Sequence, residues 1–223
     1  MFDFLETFNA PLREMFVTSL WETVVMVGIS GLAGALIGVP LGVWLRLTDH
    51  GGVRQNAPVN RTVGGIVNAV RSTPFIILLV AIIPFTRFIT GSSIGTAAAV
   101  VPLTIAAAPF VARLVETALR EVDHGLVEAA QAMGASTWQI VWKVLLPEAL
   151  PGIVAALTIT LVSLTGYSAM AGAIGGGGLG DLGIRYGYQR FLPEVMAAVV
   201  LVLIVFVQVL QSAGDWLVRR IRH

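Results

Sequence analysis

Five long runs of apolar residues restrict what this chain can fold into. A helix rises about 1.5 Å per residue and needs roughly 20 residues to cross the hydrocarbon core of a bilayer. Only 12% of the 223 residues are charged, whereas a soluble domain usually has about a quarter. We therefore predict an all-α, polytopic membrane protein with five transmembrane helices. Their approximate bounds are Val17–Leu45, Ile66–Phe85, Ile94–Val115, Leu150–Ile174 and Val195–Ala213.

The first of these runs has two further features. It is too long for the core of a signal peptide, and acidic residues precede it, so a retained first span is predicted. Glycines recur in it at helical spacing, which is typical of helices that pack closely in a membrane. The glycines in question are Gly28, Gly31, Gly34, Gly38 and Gly42.

The placement of the 14 Arg and Lys residues predicts the orientation. Only Arg13, Arg87, Arg185 and Arg190 belong to the loops on one side of the predicted topology, and the others belong to the opposite side. By the positive-inside rule the richer side is cytoplasmic, which puts the N-terminus outside and the C-terminus inside. The predicted parts are an extracytoplasmic segment at 1–16, a membrane domain at 17–213 and a cytoplasmic tail at 214–223. The basic RRIRH of that tail is interpreted as an orientation anchor.

The cytoplasmic loop at 116–149 is too polar to cross a bilayer and too apolar for an idle linker. Asp123 is a candidate N-cap for a first short helix, and Gly134 fits the C′ position that ends it. Apolar residues follow the i, i+3, i+4, i+7 spacing of one helical face. These apolar residues are Leu126, Ala129, Ala130 and Met133.

A second short helix is predicted to follow the glycine. Ser136 or Thr137 can cap it, and Ser136 and Gln139 have the spacing of a capping box. Pro147 is expected to end the helix. Its apolar residues are Ile140, Val141, Val144 and Leu145. Such a pair of helices can lie among lipid headgroups or dock into a groove on another protein. Membrane-surface helices are usually rich in Lys and Arg on their polar face, whereas the polar residues here are mostly Glu and Gln, so docking is favoured. These polar residues are Glu128, Gln131, Gln139, Lys143 and Glu148.

The loop also carries a family signature. Glu128-Ala129-Ala130, then Gly134, then Val144-x-Leu146-Pro147 resembles the EAA signature of ABC importer permeases, with valine where isoleucine is usual. In that family the loop forms a coupling helix that sits in a cleft of the ATP-binding subunit. The resemblance implies that six residues couple this chain to an ATPase. They are Glu128, Ala129, Ala130, Gly134, Leu146 and Pro147.

Two longer stretches, at 71–91 and 167–191, look like those of methionine importer permeases. This resemblance implies a type I ABC permease fold in a bacterial plasma (inner) membrane and passage of methionine in both its L- and D-forms. It also implies a second copy of the chain, two ATP-binding-cassette subunits and an extracytoplasmic methionine-binding lipoprotein as partners. ATP and Mg would bind the ATPase subunits, and no cofactor, catalytic residue or nucleic-acid partner is expected for this chain.

Other motifs and functions are less favoured. GGGGLG and GLGDLG match a dinucleotide fingerprint, but they follow a membrane span rather than a strand. The main alternative is an ion- or proton-coupled secondary transporter, although spans 3 to 5 lack the charged core residues that such coupling uses. A membrane-embedded enzyme is a third class. The chain has no cysteine, its three histidines are scattered, and no nucleophile–base pair or metal cluster stands out.

The pathway is expected near the outer end of the fourth span. Ser163, Tyr167 and Met170 are spaced i, i+4, i+7, which puts them on one helical face. This mixture of polar and soft apolar side chains suits a zwitterion with a thioether side chain. Simple packing of the face is an equally weighted alternative. The glycines at 175–178 are interpreted as giving the following loop freedom to move.

Overall fold

The computed structural model describes residues 10–221 and is helical, without strands, over that range. We number its α-helices α1 to α10. Short π-helical turns at Val141–Leu145 and Gly183–Tyr188 separate some of them, and Gly172–Gly176 forms a kink in which Ile174 and Gly175 are not helical. The helices are α1 Ala10–Thr48, α2 Ala57–Ser72, α3 Phe75–Ala81, α4 Ile83–Thr90, α5 Thr96–Arg120, α6 His124–Ala132, α7 Thr137–Ile140, α8 Leu146–Ala171, α9 Gly178–Leu182 and α10 Pro193–Ile221.

Four helical segments of the described chain are long and apolar enough to cross a membrane. They are Leu12–Thr48, Thr96–Arg120, Thr137–Gly176 and Pro193–Ile221. A fifth span exists if the bent pair α2 and α3 is counted as one. The all-α class and the membrane-spanning architecture predicted from the sequence are therefore confirmed.

The predicted second span is not one continuous helix. It is broken between Ser72 and Phe75, where Thr73 has the extended ψ of 124° and Pro74 caps the next helix. The ring of a proline disfavours helical geometry in the residue before it, which explains the break at Thr73. A second break falls at Ile82, next to Pro84 in the first turn of α4.

The first and last helices extend beyond their predicted bounds. α1 begins at Ala10 and is 39 residues long, so the described part of the predicted segment 1–16 is helical. α10 continues to Ile221, which makes residues 214–221 part of the final helix rather than a separate tail. The first nine residues of the chain and the last two of the predicted RRIRH anchor lie outside the described residues.

The chain forms two compact units. The first contains residues up to 32, 74–105 and 161–210, and the second contains 33–73, 106–160 and 211 onward. A cluster in the first unit joins Leu12 to Leu179, Leu182, Val195 and Val199. The second unit has a larger core, in which residues of α5 pack with α6, α7 and the start of α8. This core holds the loop that carries the family signature.

Small residues of α1 let α5 approach closely in the second unit. A Cβ built at Gly38 would lie 2.6 Å from the Ala108 carbonyl oxygen, and one at Gly42 would lie 2.6 Å from the Ala112 oxygen. Gly34 is similarly close to Ala107. The predicted packing role is confirmed for these glycines. It does not apply to Gly28, whose Cβ would meet nothing within 4 Å.

We expect Gly38→Ala to lower the free energy of unfolding by about 1–3 kcal/mol, because the added methyl group must displace helix backbone. Gly28→Ala is the matched control on the same helix and should be neutral or slightly stabilising. Denaturant unfolding in detergent micelles measures both. Equal stability of the two variants would contradict close packing of α1 against α5.

Candidate functional site

The first helix of the loop, α6, is capped at both ends as the sequence predicts. The Asp123 side chain accepts a hydrogen bond from the Gly125 N–H at 2.6 Å. At the other end the Gly134 N–H donates to the Gln131 carbonyl at 2.9 Å, and the Ala135 N–H donates to the Ala130 carbonyl at 3.0 Å. These two bonds form a Schellman motif, in which the C′ residue is left-handed. Gly134 has the required φ of +78°.

The predicted capping box at the second helix is also confirmed. The Gln139 N–H donates to Ser136 Oγ at 3.3 Å, and the Ser136 N–H donates to Gln139 Oε1 at 2.8 Å. Each side chain thus satisfies a backbone group that the helix start leaves unpaired. Two motifs, one ending α6 and one starting α7, therefore fix the turn of the loop.

The prediction that Pro147 ends the second helix is wrong. α7 continues through the π-helical turn Val141–Leu145 into α8. The Leu146 N–H donates to the Val141 carbonyl five residues back, and Pro147 lies in the first turn of α8. The wider turn changes the i−4 geometry with which a proline ring clashes, so the helix accommodates Pro147. The second half of the loop is consequently one helical segment with the following span.

The two faces of α6 have different surroundings. Val127 and Ala130 are buried in the core of the second unit. Leu126 is 45% exposed and Met133 is 82% exposed. Ala129 is exposed as well, so the predicted apolar stripe divides into an inward side and an outward side. The outward side of α6 is therefore an exposed, largely apolar surface.

The six predicted coupling residues divide in the same way. Glu128 lies on the surface, where Oε1 is 3.0 Å from Nδ1 of His124. Gly134 and Pro147 are exposed, whereas Leu146 is only partly buried. Ala130 alone is buried and packs inward. A small side chain there allows α6 to lie close to the core.

The start of the loop contains an ionic cluster that sequence reasoning missed. Glu116 is 1% exposed, and its two carboxylate oxygens lie 2.6 Å from Arg113 Nη1 and from Arg120 Nη2. Arg120 also pairs with Asp49 at 2.8 Å, and Arg113 donates to Asn68 Oδ1 at 2.8 Å. One buried carboxylate therefore connects α5 indirectly with α2 and with the end of α1. The sequence signal that could have predicted this cluster is the spacing of Arg113 and Arg120, which lie three residues before and four residues after Glu116.

The predicted pathway residues occupy the less buried face of α8. Met170 is 48% exposed, and Ser163 is partly buried. The Tyr167 ring stacks on Phe75 of α3, with centroids 4.7 Å apart. Leu164, the residue after Ser163, is buried. Ser163, Tyr167 and Met170 thus lie on one side of α8, where Phe75 covers part of the Tyr167 ring.

The glycine-rich segment after α8 is held by α1 within the first unit. Glu22 Oε2 accepts a hydrogen bond from the Gly178 N–H at 2.6 Å, and Thr23 Oγ1 accepts one from the Leu179 N–H at 2.9 Å. Gly178 has a φ of +76°, and its Cβ would lie 2.7 Å from Thr23 Oγ1. The close approach of α1 to the backbone of Gly178 therefore explains this glycine better than the predicted mobility of the segment does. An ionisable residue in an apolar span, Glu22, was the signal that could have predicted the contact.

The described residues contain no group of three or more His, Cys, Asp or Glu placed to hold a metal. What the structure offers instead is an exposed, well-capped loop that continues into a membrane span. Such an arrangement is mechanical, because it can transmit a displacement from a partner protein to a helix.

Comparison with known proteins agrees with this geometry. Residues 38–223 match the family model described as binding-protein-dependent transport system inner membrane component. The chain is 58% identical over 210 residues to the probable D-methionine transport system permease protein MetI of Vibrio cholerae, covering 94% of this chain and 93% of that protein. It is 58% identical over 164 residues to the D-methionine transport system permease protein MetI of Escherichia coli K12, covering 74% and 76% respectively.

A solved structure is similar over almost the whole chain. It is a crystal form of the MetNI methionine ABC transporter in inward-facing conformations, with a TM-score of 0.95 and 54% identity over 96% of this chain and 100% of that one. An amino acid ABC transporter crystallised with histidines has a TM-score of 0.81 at 20% identity, which shows a shared fold.

Loss of the Glu116 carboxylate should destabilise the second unit. We expect Glu116→Gln to lower the free energy of unfolding by about 2–3 kcal/mol, because the amide has no negative charge and replaces one of the two acceptor oxygens with a donor that faces an arginine. Asp181→Asn is the matched control, since it breaks an exposed ion pair with Arg185 and should cost less than about 1 kcal/mol. Denaturant unfolding in detergent compares them, and similar losses would contradict the central role of Glu116.

Proposed function

Because this chain belongs to the family of binding-protein-dependent transport system inner membrane components, we propose that it forms the membrane pathway for methionine in an ATP-driven importer. The chain is a permease subunit of an ABC transporter and not an enzyme. The observation that carries the substrate assignment is the 54% identity and TM-score of 0.95 to a methionine ABC transporter. Since relatives are named for D-methionine, both stereoisomers are included in the proposal.

The proposed assembly has two copies of this chain, two ATP-binding-cassette subunits and an extracytoplasmic methionine-binding lipoprotein. Four or five spans are few for a gated pathway, and a two-fold pair of protomers doubles the number. ATP and Mg bind the cassette subunits in this proposal. The assembly lies in a bacterial plasma (inner) membrane, consistent with the inner membrane description of the family.

The loop at 116–149 is proposed to transmit movements of the ATPase subunit to the membrane spans, and we call it the lever. The outward residues of α6, among them Glu128, Ala129 and Met133, would contact the ATPase subunit. Since the helix is unbroken from Thr137 through α8, a displacement of the loop acts directly on the fourth span. Closure of the ATPase subunits around ATP would then move the spans between inward- and outward-facing states. The capping motifs keep the lever stiff at its one sharp turn.

The secondary-transporter alternative is not supported by these findings. It also predicts a different experimental result, because such a protein needs no ATPase. We expect methionine uptake by cells that express this chain to require the cassette subunit and to be inhibited by excess unlabelled L- or D-methionine. Full uptake by the chain without a cassette subunit would overturn the proposal.

Gly134 provides the sharpest test of the lever. Gly134→Val should reduce methionine uptake roughly five- to thirtyfold, because a branched residue at a φ of +78° costs roughly 1–2 kcal/mol in a motif that ends α6. No atom lies within 4 Å of the added Cβ, so the effect is conformational rather than steric. Gly134→Asn, which tolerates this geometry, should retain most uptake. Normal uptake by the valine variant, at equal amounts in the membrane, would refute the coupling role.

The orientation is proposed with the N-terminus outside and the C-terminus inside. A reporter enzyme that is active only in the cytoplasm should be active when fused after His223 and inactive when fused at Ser92. The basis is the excess of Arg and Lys in the loops proposed as cytoplasmic. The reverse pattern of activity would put the lever on the wrong side of the membrane and overturn its role.

Ser163, Tyr167 and Met170 are proposed to border the pathway near its outer gate. The chain has no native cysteine, so single cysteines at these positions can be labelled cleanly by a small polar thiol reagent. Labelling should change when ATP and the methionine-binding protein are added to the assembled complex. A cysteine at Leu164, which is 1% exposed, is the matched control and should stay unreactive. If all three test positions are also unreactive in every state, the face has a packing role only.

A further inference from the structure

A large groove lies in the second unit, and none of its lining residues belongs to α6. Its volume is about 670 Å³. The end of α1, the start of α2 and the second half of the loop line it together. The lining residues are Val39, Pro40, Val43, Trp44, Leu47, Thr48, Arg54, Asn56, Val59, Trp138, Val141, Trp142 and Leu146. Of these lining residues, the proposed transport function uses Leu146 as a predicted coupling residue, and it uses none of the tryptophans.

The tryptophans locate the groove relative to the membrane. All five in the chain are more than half exposed, including Trp44 at 55% and Trp138 at 69%. Exposed tryptophan is typical of the boundary between hydrocarbon and headgroups. Trp44 is exposed and lies in the last turn and a half of α1, which ends at Thr48. An exposed tryptophan at the end of an apolar span lies at headgroup depth.

The chemistry of the groove matches an anion with an apolar tail. Its floor is aliphatic and aromatic, and no carboxylate is among the lining residues. The one cation of the lining is Arg54, which is exposed and forms no ion pair within residues 10–221. A guanidinium at the rim of an apolar groove is a good partner for a phosphate, which it can bind through two parallel hydrogen bonds.

We infer that this groove binds one anionic phospholipid from the surrounding bilayer. An acyl chain lies against Val39, Val43 and Leu146, and the phosphate sits at Arg54. The tryptophans flank the glycerol region with rings that are apolar on their faces and polar at the N–H. Binding connects the end of α1 with the helix that carries Trp138 and Trp142, so the lipid stabilises one position of the lever. The inference concerns the membrane and not the transported molecule.

The test uses the whole complex of this chain with its ATPase subunit. The complex is reconstituted in nanodiscs of phosphatidylcholine and phosphatidylglycerol at a four-to-one ratio, and lipids that remain bound are counted by native mass spectrometry. We expect phosphatidylglycerol to be retained in preference to phosphatidylcholine. Arg54→Gln should reduce its retention about tenfold, the effect of losing one charge-assisted contact. Arg61→Gln, at an exposed arginine of α2 outside the groove, should retain it as the native chain does.

A second variant tests the apolar part independently. Val43→Trp fills the floor of the groove and should also release phosphatidylglycerol, while the Arg54 guanidinium is unchanged. Equal retention of both lipids by the native complex, or unchanged retention by Arg54→Gln, would overturn the inference. So would a cysteine at Val59 that crosslinks in high yield to the ATPase subunit or to a second copy, because a protein would then occupy the groove.

Discussion

The need to satisfy every backbone hydrogen bond without water governs this structure. In a hydrocarbon core an unpaired N–H or C=O costs several kcal/mol, which favours helix in the described chain and partners for backbone groups where a helix is interrupted. After α8, where the chain departs from regular helix, Glu22 and Thr23 accept the backbone N–H groups of Gly178 and Leu179. At the capped ends of α6 and α7, side chains and the Schellman motif do the same. The polar residues in the apolar sequence are placed where the backbone needs them.

Local signals in the sequence predicted local structure well. The N-cap Asp123, the C′ residue Gly134 and the capping box at Ser136 each depend on neighbours within a few residues, and each is present. The close packing of α1 was also predictable from its glycine spacing, because small residues at that spacing allow a neighbouring helix to approach closely in a membrane. The candidate coupling loop was therefore recognisable in detail before its surroundings were known.

The errors came from longer-range or less regular geometry. Pro147 indicates a helix end by ordinary rules, but the π-helical turn before it changes the local register and lets the helix continue. The second span has enough apolar residues for a continuous helix, yet Pro74 and Pro84 break it. Glu116 and Glu22 could be seen as unusual charges, but their partners in Asp49, Asn68 and the glycine-rich segment are distant in sequence. The periodic pattern of apolar residues does not predict such contacts between residues that are distant in sequence.

The ionic cluster around Glu116 has a consequence for how this chain can change through evolution. Arg113 and Arg120 carry two positive charges, and Glu116 and Asp49 carry two negative ones, so the cluster is electrically neutral as a whole. A neutral set of charges avoids much of the solvation penalty that an isolated ion pays at the edge of a low-dielectric region. Replacing one member alone leaves a net charge, whereas replacing an arginine together with its carboxylate restores the balance. Among related sequences these four positions should therefore change in compensating pairs.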